Sequence, residues 1–454
     1  MKVRTLFTWR VKSKTASIIV IILLPLVFVS PVQADNPSGQ GPHVTWSRVY
    51  GPGSIAYAMD ETFDGGFVVA GLGGAGGRVL KLNPVGKPMW ETDYLPAGYA
   101  AGSVEADSIQ QTADGGYIVA GQALSQGYAT SYDAWLLRLD REGNVEWSRA
   151  YGGAGWDDFA TVQQTGDGGY IVAGNTASIG SGHSSNGWIA KLNAEGSVVW
   201  QKVFVGEDVN WVGQTIDGDF VATGTVGVDN KAETWVFKLD PEGSIVWQKA
   251  YDVAARTEGH SVHQTHDGGY VVAGASSLGG LLLRLDETGA VLWARTLSGF
   301  GVTTYSVRET LDGGFIVAGR SLAPLTGPWL IRLDANGDML WGKLYGDGVD
   351  FLFDAHEVDR GGNGARGRQP GEGFVVVGTH LCCGFWVLRL DDNGRLEGCP
   401  PGLLSGGWVK NDAVNVEDTT QFGIDAGLAG HSTVVVAKTL EATAQEQCPL
   451  SPNN

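Results

Sequence analysis

Four acidic residues occupy the same place in four successive repeats of this sequence. Each stands seven residues before a repeated Thr, and the four are Glu105, Asp158, Asp208 and Glu258. Carboxylate oxygens that ring one opening can hold a hard cation, so this column predicts a Ca²⁺ site and makes Ca²⁺ the one cofactor that the residues suggest. Repeats also copy structural residues, and solvated acids that cap a turn through backbone hydrogen bonds would give the same column. Both interpretations stay open.

A second column lies two residues before the repeated Thr or its counterpart. Its chemistry changes from repeat to repeat while its neighbours stay the same, as in Asp60, Gln110, Gln163, His263, Arg308 and His356. Variation at one position of a repeat indicates specialisation around a shared pocket, and we predict that Asp60, His263, Arg308 and His356 bind a ligand. A tolerant, water-exposed position would vary in the same way.

Motifs of catalysis are missing from the sequence. It contains no GxSxG elbow, HExxH motif, phosphate-binding loop or CxxC pair. The stretch "DANGD" at 334–338 is similar to a calcium loop but lacks the later ligands, and it occupies a recurrent turn. The residues therefore identify no catalytic group.

The elements that position both columns follow from a unit that occurs seven times. Its clearest form is "QTADGGYIVAG", and the repeat aromatics are Phe67, Tyr117, Tyr170, Phe220, Tyr270, Phe315 and Phe374. Each unit predicts four strands, a to d, typified by "DSIQQT", "YIVAG", "AWLLRLD" and "NVEWSRAY". Asp-Gly-Gly supplies the a-to-b turn and "LDxxG" the c-to-d turn. This spacing predicts an all-β protein, a seven-bladed β-propeller of four-stranded antiparallel blades.

The Trp residues of strand d are offset from the Asp-Gly-Gly turns. They fall at Trp46, Trp90, Trp147, Trp200, Trp247, Trp293 and Trp341. The first precedes any complete blade, and the last blade has none. We therefore predict that residues 44–50 close the ring as the outer strand of the seventh blade, which removes exposed sheet edges.

Two further columns predict structural roles. Strand c repeats Trp135, Trp188, Trp235, Trp329 and Trp386, and large aromatics between blades are packing material, with carbohydrate stacking as the alternative. The basic column that ends strand c predicts one polar pair in each blade; it comprises Lys81, Arg138, Lys191, Lys238, Arg284, Arg332 and Arg389.

The two faces of the predicted ring differ. The a-to-b and c-to-d turns are short and nearly constant, whereas the d-to-a and b-to-c loops vary, as in "GQALSQGYATSYD" and "GNTASIGSGHSSNG". Variable loops on a rigid scaffold usually carry function. We expect the binding surface on that face.

The N-terminus predicts export. Five positive charges precede the apolar run "ASIIVIILLPLVFVS" and the small residues "PVQA", which is typical of a signal peptide, residues 1–34, cleaved after Ala34; a retained anchor is the alternative. Residues 35–43 read as a linker. Cleavage moves the formal charge from −18 to −23, because five positive and no negative charges leave. Such a protein is expected to avoid nucleic acid and anionic lipid, and to be secreted, periplasmic or at the cell surface.

The C-terminal part differs from the repeats. The propeller is predicted to span residues 44–398, and residues 399–454 form an extension in which "HSTVVVAKTLEAT" predicts a strand pair packed on the ring. All four cysteines lie near or in this part. In an oxidising compartment we expect Cys399 to pair with Cys448 and tether the extension, while Cys382 and Cys383 either pair with each other or stay reduced.

The repeat "DGGYIVAG…AWLLRLDxxGNVxW" resembles a group of secreted bacterial and archaeal propeller repeats of unknown function, and it is similar to the delta-60 type repeat. "LDETGAVLW" and the pair Cys382–Cys383 are also similar, more distantly, to quinoprotein propellers. Those enzymes have eight blades, and their Ca²⁺ ligands and catalytic Asp find no match here. "TxDGGY" approaches the Asp-box of sialidases but lacks its Trp, and no Arg triad accompanies it.

Three functions are compatible with these observations. The first is an exported binding or scaffold module with a protein or glycan partner at the cell envelope. The alternatives are a dehydrogenase that uses pyrroloquinoline quinone, as the quinoprotein resemblance implies, and a glycan hydrolase or lyase. The oligomeric state is not indicated by the sequence.

Overall fold

The computed structural model describes residues 45–125, 131–180, 185–228, 231–298, 302–321, 327–345, 350–358, 373–380 and 384–396, with the backbone of seven short strands between residues 402 and 446. Every regular element in these ranges is a β-strand. Within them there is no helix of the length and apolarity needed to cross a membrane.

The described residues form seven antiparallel blades, each with its strands in the order a, b, c, d. The first strand in the chain is β1 (Trp46–Tyr50). Blade 1 contains β2 (Ile55–Glu61), β3 (Phe67–Leu72), β4 (Gly77–Leu82) and β5 (Pro88–Pro96). Blade 2 contains β6 (Tyr99–Gln111), β7 (Tyr117–Ser125), β8 (Tyr132–Leu139) and β9 (Val145–Tyr151). Blade 3 contains β10 (Asp157–Gln164), β11 (Tyr170–Thr176), β12 (Asn186–Leu192) and β13 (Val198–Val205).

The remaining blades repeat this order. Blade 4 contains β14 (Asp208–Gln214), β15 (Phe220–Val228), β16 (Lys231–Leu239) and β17 (Ile245–Asp252). Blade 5 contains β18 (Thr257–Gln264), β19 (Tyr270–Ser276), β20 (Gly279–Leu285) and β21 (Val291–Ser298). Blade 6 contains β22 (Thr303–Glu309), β23 (Phe315–Ser321), β24 (Gly327–Leu333) and β25 (Met339–Leu344). Blade 7 contains β26 (Phe351–Glu357), β27 (Phe374–His380), β28 (Gly384–Leu390) and β1. The chain is therefore a seven-bladed β-propeller, as the repeat predicts.

The N-terminal strand closes the ring. β1 pairs antiparallel with β28, with Trp46 opposite Arg389 and Tyr50 opposite Phe385. The Trp386 indole Nε1 donates a 2.9 Å hydrogen bond to Ser47 Oγ. The predicted closure is confirmed, and the first and last parts of the propeller are joined in one sheet.

The strand-d Trp packs against the next blade. Each of the seven Trp rings meets the repeat aromatic of the following blade edge-on, as Trp247 meets Tyr270 at a centroid distance of 5.8 Å. Gly289 of "LDETG" has a φ of +78°, and a Cβ there would lie 3.0 Å from the Trp247 ring. The recurrent turn therefore needs Gly for its left-handed backbone and for the neighbouring Trp.

The basic column forms the predicted structural pair in six blades. Each of these Lys or Arg side chains, five buried and Lys238 half-buried, contacts the first Asp of the a-to-b turn in its own blade; the pairs are Lys81–Asp64, Arg138–Asp114, Lys191–Asp167, Lys238–Asp217, Arg284–Asp267 and Arg332–Asp312. The same Asp accepts from the repeated Thr, as Asp114 does from Thr112 at 2.6 Å. The strand-c Trp residues are fully buried, which confirms packing as their role.

The C-terminal extension forms a belt around the propeller. Its strands are β29 (Gly402–Leu403), β30 (Val409–Asn411), β31 (Asn415–Asp418), β32 (Ile424–Asp425), β33 (His431–Ser432), β34 (Val435–Leu440) and β35 (Gln445–Glu446). They pair in turn with the outer strands of blades 6, 5, 4, 3, 2, 1 and 7, so every blade gains a fifth strand. The expectation of a strand pair in 431–443 is therefore wrong: β33 and β34 lie in different sheets, because each finds an open blade edge.

Candidate functional site

A cavity of about 270 Å³ lies on the axis of the ring, and the innermost strand a of all seven blades lines it. Strand a begins at the variable-loop face and ends at the constant-turn face, because it follows the d-to-a loop and precedes the a-to-b turn. A residue near the start of strand a therefore lies at the channel mouth on the variable face. A residue near its end lies deeper.

Each strand a carries a one-residue bulge at the same position. The ladder to strand b skips one residue in all seven blades, and the skipped residues are Tyr57, Asp107, Ala160, Asn210, His260, Tyr305 and Phe353. All seven are half-buried and line the cavity. A bulge breaks the strict alternation of side chains and re-aims the extra residue. Seven bulges thus place seven side chains of six residue types around one opening.

Aromatic rings form one side of this opening. The Phe353 ring lies 5.7 Å from Tyr57 and 5.2 Å from Tyr305, measured between centroids. It also stacks on Phe351 at 5.5 Å, and the Arg320 guanidinium lies 3.9 Å above the Phe351 ring. We call Tyr57, Tyr305 and Phe353 the aromatic wall.

Asp107 lines the opening beside Tyr57, and further acidic side chains lie near it. Glu105 and Asp107 come from blade 2, Asp158 from blade 3 and Asp208 from blade 4; we call these four the carboxylate wall. Within the described ranges none of the four forms an ion pair with Lys or Arg. Glu105 accepts from Gln122, Asp158 from the Asn175 backbone N–H and Asp208 from Ser185. Asp107 receives no hydrogen bond from any described residue.

Burial and neighbouring like charges raise pKa values in the carboxylate wall. Burial raises the pKa of Asp107 well above its ordinary value, and Glu105 and Asp158 raise it further. Burial also raises the pKa of Asp158 to about 7, and the charges of Asp157 and Asp208 add to the effect. Burial and neighbouring negative charges thus both favour the protonated forms of Asp107 and Asp158.

The predicted cation column is only partly a cluster. Glu105, Asp158 and Asp208 belong to the carboxylate wall, whereas Glu258 is neutralised by Arg256 at 2.6 Å, and the pKa of Glu258 is lowered to about 2 by His260 and Arg256. Among the described residues, no three His, Cys, Asp or Glu side chains are arranged to hold a metal ion. Ca²⁺ binding stays a prediction.

The predicted binding residues meet deeper in the channel. Asp60, His263 and Arg308 line the cavity. His356 joins them through Asp354, because its Nε2 lies 2.9 Å from Asp354 Oδ2 while Arg308 lies 3.4 Å from the same carboxylate. Asp354 also accepts a 2.7 Å hydrogen bond from Ser306.

The titration of this deep cluster follows from burial and charge. Burial acts to raise the pKa of Asp354, but Arg308 and His356 outweigh it and hold the pKa well below its ordinary value. Burial lowers the pKa of His263 well below its ordinary value, with a further contribution from Arg308, and the ring of His263 meets Trp211 at 4.5 Å. The floor of the channel is thus an Arg308–Asp354 pair beside a neutral imidazole.

Two sets of residues escaped the sequence patterns. The bulge residues vary from blade to blade, but the strict two-residue alternation of a strand would place them on the face that points away from the channel. Asp354 stands two positions away from the predicted column. The residue before the repeated Thr also has a role, since Gln111, Gln164, Gln214, Gln264, Glu309 and Glu357 each accept a 2.7–2.8 Å hydrogen bond from the a-to-b turn of the preceding blade.

Some predictions fall outside the described residues. All four cysteines do, so the pairing of Cys399 with Cys448 and the state of Cys382 and Cys383 stay predictions. Residues 1–34, the expected signal peptide, are also outside, as are parts of the variable loops at 126–130 and 181–184.

Comparison with known proteins finds solved structures of β-propellers and identifies no family. No protein-family model matches the chain, and a search of curated proteins finds no match. Among solved structures, a Dos1 propeller matches with a TM-score of 0.46 at 11% identity over 86% of this chain and 94% of that one. Sqt1 from Chaetomium thermophilum matches with a TM-score of 0.45 at 12% identity, over 79% and 88% of the two chains.

An enzyme also appears among these structures. The quinohemoprotein alcohol dehydrogenase ADHIIG from Pseudomonas putida HK5 matches with a TM-score of 0.39 at 11% identity, over 73% of this chain and 66% of that one. Likeness at this level assigns neither an activity nor a partner to this chain.

Proposed function

We propose that the chain is an exported binding or scaffold propeller whose partner, a protein or a glycan, docks on the variable-loop face and reaches into the channel mouth. One observation carries this proposal. All seven blades share the Trp packing and six share the Asp pair, but the blades differ at the bulge of strand a, where side chains of six residue types line one cavity.

Packing between neighbouring blades restricts which residues a repeat can change. A position that touches the neighbouring blade tolerates little change, since blades are stable only through their neighbours. The bulge residues are half-buried and face the cavity. Divergence confined to a concave site on a rigid scaffold is typical of ligand recognition.

The proposal is tested by binding screens with a variant on each face. Residues 35–454 are applied to glycan and peptide arrays, and positive spots are titrated in solution. The mouth variant combines Tyr57→Ser and Phe353→Ser. The control combines Phe63→Ser and Ile216→Ser, two exposed apolar residues in the a-to-b turns on the opposite face.

We expect saturable binding that the mouth variant loses by tenfold or more, about 1.4 kcal/mol, and that the control retains. Binding that survives the mouth changes, or that disappears only in the control, would contradict the proposal. So would the failure of both arrays to yield a saturable partner.

A further inference from the structure

We propose that the channel mouth binds an organic ammonium group, held between the aromatic wall and the carboxylate wall. This inference rests on the proposed function and names the chemistry that the mouth recognises. An alkylammonium group is offered by a lysine side chain, a polyamine or a choline headgroup, and the mouth reads the chemistry that these share.

The aromatic wall supplies a surface that a hydrated metal ion would not use. Tyr57, Phe353 and Tyr305 follow one another around blades 1, 7 and 6, with neighbouring ring centroids 5.7 and 5.2 Å apart. A ring face attracts an ammonium ion while its methylene or methyl groups displace water from the ring. The Arg320 guanidinium 3.9 Å above Phe351 already uses an aromatic face at this rim.

The carboxylate wall supplies the opposite charge. Asp107 lines the cavity between Tyr57 and Ala160 in the ring of bulge residues, and no described residue pairs with it. Its neighbours Glu105 and Asp158 are also acidic, so a bound cation would meet acidic groups that no described Lys or Arg pairs. The two walls meet, because the charges of Glu105 and Asp107 both act on the Tyr57 hydroxyl.

The basic side chains deeper in the channel carry no unpaired positive charge that would repel a cation. Arg308 lines the cavity, and Asp354 pairs with it at 3.4 Å. His263 is kept neutral by burial, which lowers its pKa. Neither Arg308 nor His263 therefore adds an unpaired positive charge to the channel.

The size of the cavity favours a small group over a whole ligand. Its volume of about 270 Å³ lies just below the range of roughly 300–1,000 Å³ typical of pockets for drug-sized molecules. Ala160 in the bulge ring leaves space beside Asp107. An ammonium group on a flexible chain fits this space while the rest of the partner stays on the variable-loop face.

Calorimetric titration of residues 35–454 tests the inference with four probes: an N-acetyl-lysine methylamide, spermidine, choline and Ca²⁺. Two variants remove one wall each, Asp107→Asn and Tyr305→Leu. Their controls are Glu142→Gln and Phe63→Leu, an exposed acid and an exposed ring elsewhere on the surface. Melting curves establish that every variant folds like the parent.

We expect at least one ammonium probe to bind saturably at millimolar concentration or below. Asp107→Asn is expected to weaken it about tenfold and Tyr305→Leu about fivefold, in line with one lost charge and one lost cation–π contact. Neither control should change the affinity by more than about twofold. The preferred probe distinguishes a lysine of a protein partner from a polyamine or a quaternary headgroup.

Two outcomes would overturn the inference. One is Ca²⁺ binding that Tyr305→Leu leaves unchanged while the ammonium probes give no saturable heat, which would instead establish the predicted calcium site. The other is ammonium binding that both wall variants retain. If the probes fail but array partners still need Tyr57 and Phe353, only this inference falls and the proposed function stands.

Discussion

At the scale of single residues, the Gly of the c-to-d turn is predictable from the sequence, whereas the carboxylates at the channel are predictable only in part. The Gly of "LDxxG" is predictable from the sequence as a left-handed turn residue, and the structure adds that the preceding blade's Trp covers it. The carboxylates Glu105, Asp158 and Asp208 are predictable as a column. Their partner Asp107 is not, because only the bulge brings it to the channel.

Replacing the turn Gly tests the first of these points. Gly289→Ala should lower the free energy of unfolding by about 2 kcal/mol or more, because it combines a φ of +78° with contact to Trp247. Gly218→Ala is the matched control, since its φ is +93° but no atom lies within 4 Å of the added methyl. It should cost only about 1 kcal/mol. Equal losses in chemical denaturation would show that the Trp contact does not matter.

The pH dependence of stability tests the carboxylate wall. The folded pKa of Asp158 is about 7, above its ordinary value of 3.8, so between these pH values the folded chain binds more protons than the unfolded chain. Stability then falls as pH rises through this window, by up to about 1.4 kcal/mol for each unit of pKa difference. Glu207, with a pKa of about 7, acts in the same direction.

Thermal melting across this pH range measures the effect. Asp158→Asn should flatten the decline, whereas Asp167→Asn should not, because the pKa of Asp167 is lowered to about 2 by Lys191 and Thr165 and it stays ionised throughout. A melting temperature that rises steadily from pH 4 to pH 7 in the parent protein would contradict the assignment.

At the scale of elements, strands a to d and their turns follow from the repeat, but the bulge and the belt do not. Alternation and turn residues define a strand, whereas a bulge leaves no residue signature in strands as unlike as β2 and β18. The belt strands are two to six residues long. They have no repeat, since each is defined by the blade edge that it meets rather than by its own pattern.

Removal of the belt is expected to expose the outer edge of every blade. A chain that ends at residue 398 should self-associate and melt at a lower temperature than residues 35–454, because unpaired edges template further strands. Light scattering after gel filtration measures the first effect. A monomeric shortened chain with an unchanged melting temperature would refute a stabilising role for the belt.

The belt indicates what the predicted Cys399–Cys448 disulfide would do. Cys399 precedes β29 on blade 6 and Cys448 follows β35 on blade 7, so the two cysteines flank the two ends of a full circuit. A bond between them would close the belt into a covalent loop. Peptide mapping without reduction should recover the Cys399–Cys448 crosslink, and its absence from protein purified under oxidising conditions would remove this prediction.

At the scale of the whole molecule, closure of the ring is predictable from the sequence and the channel mouth is not. Seven offset Trp residues require a strand from the other end of the chain, and β1 supplies it. The mouth depends on side chains from all seven blades meeting on one axis. No pairwise spacing in the sequence reports such a meeting.

Truncation tests the closure. A chain that begins at residue 51 lacks β1, and with it the Trp46–Phe67 contact and the 2.6 Å hydrogen bond from Tyr50 to the Gly86 carbonyl. It should lose more than about 4 kcal/mol of stability, as expected for removal of buried aromatic residues. A chain that begins at residue 44 is the control and should melt like residues 35–454. Equal stability of both truncated chains would argue against closure by β1.

Hydrogen–deuterium exchange with and without a saturating array partner or ammonium probe tests the central claim most directly, because it locates contact without altering the protein. The account predicts added protection in peptides that cover the channel-lining part of strand a, residues 55–60, 105–110, 303–308 and 351–356, and none in the a-to-b turns. Protection confined to those turns or to the outer strands would contradict a binding site at the channel mouth.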